Sequence, residues 1–327
     1  MKKKFSEFPT YNHVIQGIKN LEHVIWPVVS DFDENTSYIK AVEKILTKEF
    51  NILPNFIQRA PCTDFKLPIF RVRELSSFTN SNLFVEHSYP PIGLSDFGRC
   101  NLPKSPVFYC SNNPLISLME VVRDNNYKSK KYCISKWEVL QSEEEYVFQT
   151  FLQKKLREDY SYDMFRKSVE ERVNEPFENE LNEDRKKGLL ELLKYLHSSF
   201  IDDNSYAISS FLAHRSMYAP YNYSTDILMY PSIQTQFRGV NMAIHPNFVD
   251  NNMKIKRFYV AELENYDSVN GIFKVSISRY GIIDKSVILW KDLDPNDQEY
   301  KSLMDEDFKD FTLGKGEWNI SKNNEKK

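Results

Sequence analysis

The sequence predicts an α+β protein with a mixed sheet core, N-terminal helices and a helical insertion. Two segments of helical period open the chain, between residues 12 and 46. A short apolar strand runs directly into a capped helix between residues 106 and 122. Two strand-like runs flank Asn270-Gly271, the strongest short turn signal in the chain. Helices and strands of these kinds, in this order, describe an α+β protein.

Val14, Ile15, Ile18, Leu21 and Ile25 fall on one helical face, which predicts a helix over residues 12–25. A second helix begins at Asn35-Thr36-Ser37, whose side chains can cap it, and continues through Ile39, Val42, Ile45 and Leu46. Leu67–Glu74 reads as a strand, followed by a loop through Tyr89-Pro90-Pro91 to Gly98. Pro106–Cys110 is a short buried strand. Asn112 or Asn113 then caps a helix with Pro114 at or near its first position, where the missing N–H costs nothing. Leu115, Leu118, Met119 and Val122 give this helix its buried stripe.

Residues from about 138 to 200, rich in Glu, Lys and Arg, read as a helical insertion ending in Leu189, Leu192, Leu193, Leu196 and Phe200. A helix follows over Tyr206–Met217, then a strand over Asp226–Ser232 stopped by proline. Arg257–Glu264 and Ile272–Arg279 form the predicted hairpin, and Val287–Trp290 adds a strand. The expected organisation is an N-terminal helical segment (1–60), a central domain (61–290) carrying the insertion, and a C-terminal extension and polar tail (291–327).

Composition excludes several classes. With 41% hydrophobic and 14% aromatic residues, the chain is too apolar to be disordered. Only 9 glycines are present, and neither GxGxxG nor GxxxxGK[ST] occurs, so dinucleotide Rossmann and P-loop chemistry are set aside. A net charge of -3 gives no pull toward nucleic acid, and no direct nucleic-acid binding is expected. Lys2-Lys3-Lys4 is followed by no apolar stretch of signal-peptide length, and no run is long enough to span a membrane. Cys62, Cys100, Cys110 and Cys133 lack paired spacing, so the expectation is free thiols in a reducing cytoplasm, without metal. His197 and His214 lie beside apolar helix positions and read as packed or half-exposed side chains rather than ligands.

Five motifs come in order: Phe70-Arg71-Val72-Arg73, Gly98-Arg99-Cys100-Asn101, Val107-Phe108-Tyr109-Cys110-Ser111, Met119-Glu120-Val121 and Asp226–Ser232 with Tyr230-Pro231-Ser232. Together they resemble the RES domain family over roughly residues 66–250. The resemblance implies a fold like that of the ADP-ribosyltransferase toxins. It also implies NAD as a substrate, with no cofactor, and degradation by hydrolysis or phosphorolysis in a growth-arresting toxin restrained by a helix-turn-helix antitoxin. Carried over, Glu120, Arg99, Tyr109 and Ser232 are the catalytic positions, and Arg71, Arg73 and Asn101 bind substrate. Where the family usually has an aromatic residue between its arginine and asparagine, this chain has Cys100.

The residue types suit the chemistry. Nicotinamide leaves NAD as a neutral molecule, so no proton need be donated to it, and one carboxylate can serve where ordinary glycosidases need two. Glu120 could bond the ribose 2′-hydroxyl and stabilise an oxocarbenium-like transition state. Tyr109 could stack on the cationic ring, and the planar fork of Arg99 matches pyrophosphate oxygens, a role Arg71 could share. Ser232 offers a small hydroxyl to the ribose or the carboxamide. Two other classes fit the same pocket: an ADP-ribosyltransferase that modifies a macromolecule, and a non-catalytic nucleotide-binding module.

Overall fold

A computed structural model describes residues 8–122, 126–151, 181–202, 204–219, 223–235, 239–267, 272–308 and 315–322. Among these lie seven α-helices and the eleven strands of a mixed sheet. The class is α+β, and the pairings described below are antiparallel except for two. The chain divides into two compact units: Met1–Arg59 with Pro91–Pro106 and Val147–Tyr230, and Ala60–Pro90 with Val107–Tyr146 and Pro231–Lys327.

The first unit is mostly helical. Helix α1 (Tyr11–Leu21) packs against α2 (Asn35–Phe50) and against a later helix, α4 (Glu183–Asp202). Helix α1 stops at Leu21 rather than continuing to Ile25, which is 95% exposed. The amides of Glu22, His23 and Val24 turn back on Lys19, Asn20 and Leu21, and Pro27 disfavours helix in the residue before it. Helix α2 begins on Glu34, without a side-chain cap; Asn35 is already helical and donates to the Pro103 carbonyl instead. In α4, Leu189, Leu192, Leu193, Leu196 and Phe200 are buried as their spacing predicts. Gly188 is needed there, because a Cβ would stand 2.9 Å from the Pro9 carbonyl oxygen and 3.1 Å from the Tyr11 nitrogen. Helix α5 (Ala207–Met217) follows.

The insertion between 138 and 200 is not helical at its start. Residues 138 and 139 complete β4 (Lys131–Val139), and β5 (Glu145–Thr150) pairs in parallel with β6 (Ile227–Pro231). Tyr132, Ile134, Val147 and Phe148 are buried. The charged residues that suggested a solvated helix face cluster beyond this point, and residues 152–180 of the expected insertion lie outside the described ones.

The second unit is a sheet covered by helices. A short strand β1 (Gln58–Pro61) leads to β2 (Ile69–Glu74). Strand β3 (Phe108–Ser111) runs into α3 (Pro114–Val121). Then come β7 (Val240–Ile244), α6 (Pro246–Asn252), β8 (Met253–Asp267), β9 (Ile272–Asp284) and β10 (Val287–Asp292). The strand order is β7-β3-β2-β4-β8-β9-β10. Strands β8 and β9 form the expected antiparallel pair, with Asp267 opposite Ile272; the Asn270-Gly271 turn lies outside the described residues.

The C-terminal extension belongs to this unit's core. Helix α7 (Gln298–Phe308) buries Met304 and Phe308, and β11 (Lys315–Ile320) pairs in parallel with β9. Residues 323–327 of the expected tail lie outside the described ones. Asp307 anchors α7 to the sheet: its side chain is fully buried, pairs with the charges of Lys136 and Arg257, and accepts from Lys136, from Arg257 Nη2 at 3.2 Å and from Tyr259 Oη at 2.5 Å. Removing one partner from such a buried pair leaves a desolvated charge behind. Asp307→Asn is therefore expected to cost about 3 kcal/mol, read as a lowered urea midpoint at unchanged m.

Two buried histidines make stability pH-dependent. Burial pushes the ring of His197 down to about 3 and that of His87 down to about 4, from 6.5. Unfolded, each takes up its proton near 6.5, so their contribution is complete above that pH and is lost as pH falls toward the folded values. Between pH 7 and pH 5 each withdraws about 2 kcal/mol. Urea midpoints measured across this window should fall with acid, and less steeply in His197→Phe.

Candidate active site

The antiparallel pairing fixes which side chains share a face. Phe70 lies opposite Ser111, and Ser111 opposite Asn241. Opposed residues point to the same side and successive residues alternate, so Phe70, Val72, Tyr109, Ser111 and Asn241 all face one way. Helix α3 covers that face. Its Leu115, Leu118 and Met119 pack with Phe70 and Val72, and Ser117 donates to the Phe70 carbonyl at 3.0 Å.

The sequence places α3 accurately through local chemistry. Asn113 caps it, its Oδ1 accepting from the Leu115 amide at 2.8 Å, with Pro114 in the first turn. Asn112 bonds elsewhere. Its Oδ1 accepts from the Val240 amide at 3.0 Å, tying the start of the helix to β7. Pro114 to Met119 are all buried, so α3 is apolar on nearly every side and its half-buried Glu120 is an exception.

Glu120 accepts two hydrogen bonds on Oε1, from Ser232 Oγ at 2.7 Å and from Asn241 Nδ2 at 2.7 Å. Ser232 is fully buried and Asn241 nearly so. Asn241 Oδ1 in turn accepts from Ser111 Oγ at 2.7 Å. Residues 112 and 121 positions away along the chain thus converge on one carboxylate. Ser232 is fixed on its own side, its amide donating to the Gly239 carbonyl at 2.8 Å.

The other predicted positions are distributed differently. Arg71 and Arg73 alternate with Phe70 and Val72 and so project from the opposite face of β2 to Glu120. The pleat thus separates the two arginines from the face that carries Glu120. Arg71 donates to the Tyr109 carbonyl at 2.8 Å and lies over the Phe108 ring, 5.2 Å from its centroid. Burial, and then Arg73, lower its guanidinium to about 10. Arg73 donates to the carbonyls of Glu86 and Ser77 and lies over the Phe78 ring.

Arg99 and Asn101 belong to the first unit. Arg99 donates to the Phe200 carbonyl and lies over the Tyr206 ring, 5.4 Å from its centroid. Asn101 closes a tight turn with Gly98 and bonds through Nδ2 to Ser95 Oγ and the Asp96 carbonyl. Cys100 between them is buried, as are the three other cysteines. Burial pushes the thiols of Cys110 and Cys133 up, away from the thiolate a nucleophile needs.

Ser111 and Asn241 were not among the predicted site residues. Their signal was present: one polar residue interrupts the otherwise apolar strand Val240–Ile244, and another ends the buried strand Phe108–Ser111. A buried polar side chain needs a partner, and here the partners are each other and Glu120. Among the described residues, no three His, Cys, Asp or Glu side chains cluster as metal ligands, and no helix is long and apolar enough to cross a membrane. No protein-family model matches the chain, and no curated protein or solved structure matches it.

Gly239 lies close against α3. A Cβ there would stand 1.6 Å from Ile116 Cδ1. Gly239→Ala is expected to cost about 1–3 kcal/mol in thermal or urea unfolding. Adding Ile116→Ala should recover part of the loss, because it removes the atoms that collide.

Proposed function

We propose that this chain cleaves the bond between nicotinamide and ribose in NAD, with Glu120 stabilising the transition state. The observation that carries this reading is the Glu120 carboxylate held by Ser232 and Asn241. The order of Arg99, Tyr109, Glu120 and Ser232 along the chain, which resembles the RES family, supports the same reading. The bond from ribose C1′ to the nicotinamide nitrogen breaks, and its electron pair leaves with a neutral nicotinamide. Water or phosphate attacks C1′ and loses a proton, giving ADP-ribose or its 1-phosphate.

No acid is required at the leaving group, so a single carboxylate meets the need. A charge fixed in advance by two donors stabilises the developing cation without reorganising as the reaction proceeds. Tyr109 shares the sheet face of Ser111 and is half-buried, which suits a ring that stacks on the nicotinamide cation. Depletion of NAD would arrest growth, so the reading extends to a toxin held in check by a partner antitoxin with a helix-turn-helix domain.

The test is nicotinamide release from NAD, with and without phosphate, by wild type and Glu120→Gln. The glutamine can still accept from Ser232 and Asn241, so the fold should persist while the charge is lost. Release is expected to fall by on the order of 100-fold or more. Unchanged release by the variant refutes the assignment. Transfer of label from adenine-labelled NAD to a macromolecule would instead identify an ADP-ribosyltransferase.

A further inference from the structure

We propose that Ser111 and Asn241 form a positioning relay that sets the orientation of the Glu120 carboxylate, an inference that rests on the NAD-cleaving reading. An asparagine amide can bind either way round, since its two ends differ only in donating or accepting. The Glu120 carboxylate only accepts, so it takes the Nδ2 end. The Ser111 hydroxyl donates to the other end, Oδ1, and holds the amide in that orientation.

The relay is buried: Ser111 is 2% exposed and Asn241 4%. It is also tied to the backbone of two paired strands, because Ser111 and Asn241 are directly opposed across β3 and β7. The distance between them is therefore set by the sheet ladder and not by a flexible loop. Asn112 adds a second tie, holding the neighbouring residue Val240 through its amide. Glu120 approaches from α3, and Ser232, just past the end of β6, donates to the same Oε1. Ser232 alone would fix one point of the carboxylate. A second donor at the same oxygen, of defined direction, fixes its rotation as well. Site geometry of this kind is held by partners whose own positions are locked by packing and hydrogen bonds.

The experiment measures kcat and KM for nicotinamide release in wild type, Ser111→Ala, Ser111→Thr and Asn241→Asp. Melting curves confirm that each variant is folded. Ser111→Ala removes the group that holds Oδ1 of the amide, and kcat is expected to fall about tenfold or more while KM stays within about twofold. Ser111→Thr keeps the hydroxyl and should restore most of kcat. Asn241→Asp is the same size but sets a second carboxylate against Glu120; its kcat should fall by a larger factor than that of Ser111→Ala. A loss in KM rather than kcat, or a Ser111→Thr protein no better than Ser111→Ala, would overturn the relay. So would wild-type kcat in both Ser111→Ala and Asn241→Asp while Glu120→Gln is impaired, and in that case the NAD-cleaving reading would stand. A wild-type protein that releases no nicotinamide overturns that reading and the relay's role with it.

Discussion

The pairing of Phe70 with Ser111 and of Ser111 with Asn241 is the constraint on which the rest of the site depends. A shift of one residue in either ladder would turn Ser111 or Asn241 to the other side of the sheet. Ser111 and Asn241 would then no longer meet beneath Glu120, and Arg71 would replace Phe70 under α3. Such a slip is opposed on both faces. Phe70 and Val72 are needed in the apolar cluster with α3, while Arg71 is held over Phe108 on the other side. The same alternation that builds the core therefore selects which polar groups reach the carboxylate.

That selection carries an energetic cost which the arrangement offsets internally. Ser111, Asn241 and Ser232 are buried polar side chains, and an unbonded group of this kind costs about 1–3 kcal/mol. Each is bonded to another member of the cluster, and the chain of donors ends on a group that can accept more than one bond. Removing one member thus affects more than one bond. Arg71 shows the opposite economy on the far face: one guanidinium nitrogen is satisfied by the Tyr109 carbonyl, while Nε is buried with no partner among the described residues.

Much of the fold was legible because local chemistry dictates it. Asn113-Pro114 sets the start of α3, and the leucines of α4 mark its buried stripe. The strands β8 and β9 stand out through their alternating patterns around Asn-Gly. What was not legible depends on distant partners. Residues 138–150 look solvated in composition, yet Tyr146, Val147 and Phe148 are buried in a strand whose parallel partner lies some 80 positions later. The C-terminal helix looks like a polar extension until Asp307 meets Lys136, Arg257 and Tyr259. Glu120 and Ser232 could be named from their order in the chain. Asn241 could not, because its significance is a register and not a spacing.

The two faces of β2 also explain why the neighbouring arginines stand on the other side of the sheet from Glu120. Phe70-Arg71-Val72-Arg73 has the period of a strand, so its arginines share one face and its apolar residues the other. Once the apolar pair is claimed by α3, both cations must leave the side that carries Glu120. They become bracing groups, tied to the carbonyls of Tyr109, Glu86 and Ser77. Reading a charged residue on a strand as a ligand thus requires knowing first which face the helix covers. In this unit that question is answered by Ser117 and Leu118, which pack down on Phe70 and commit the polar half of the site to Ser111, Asn241 and Ser232.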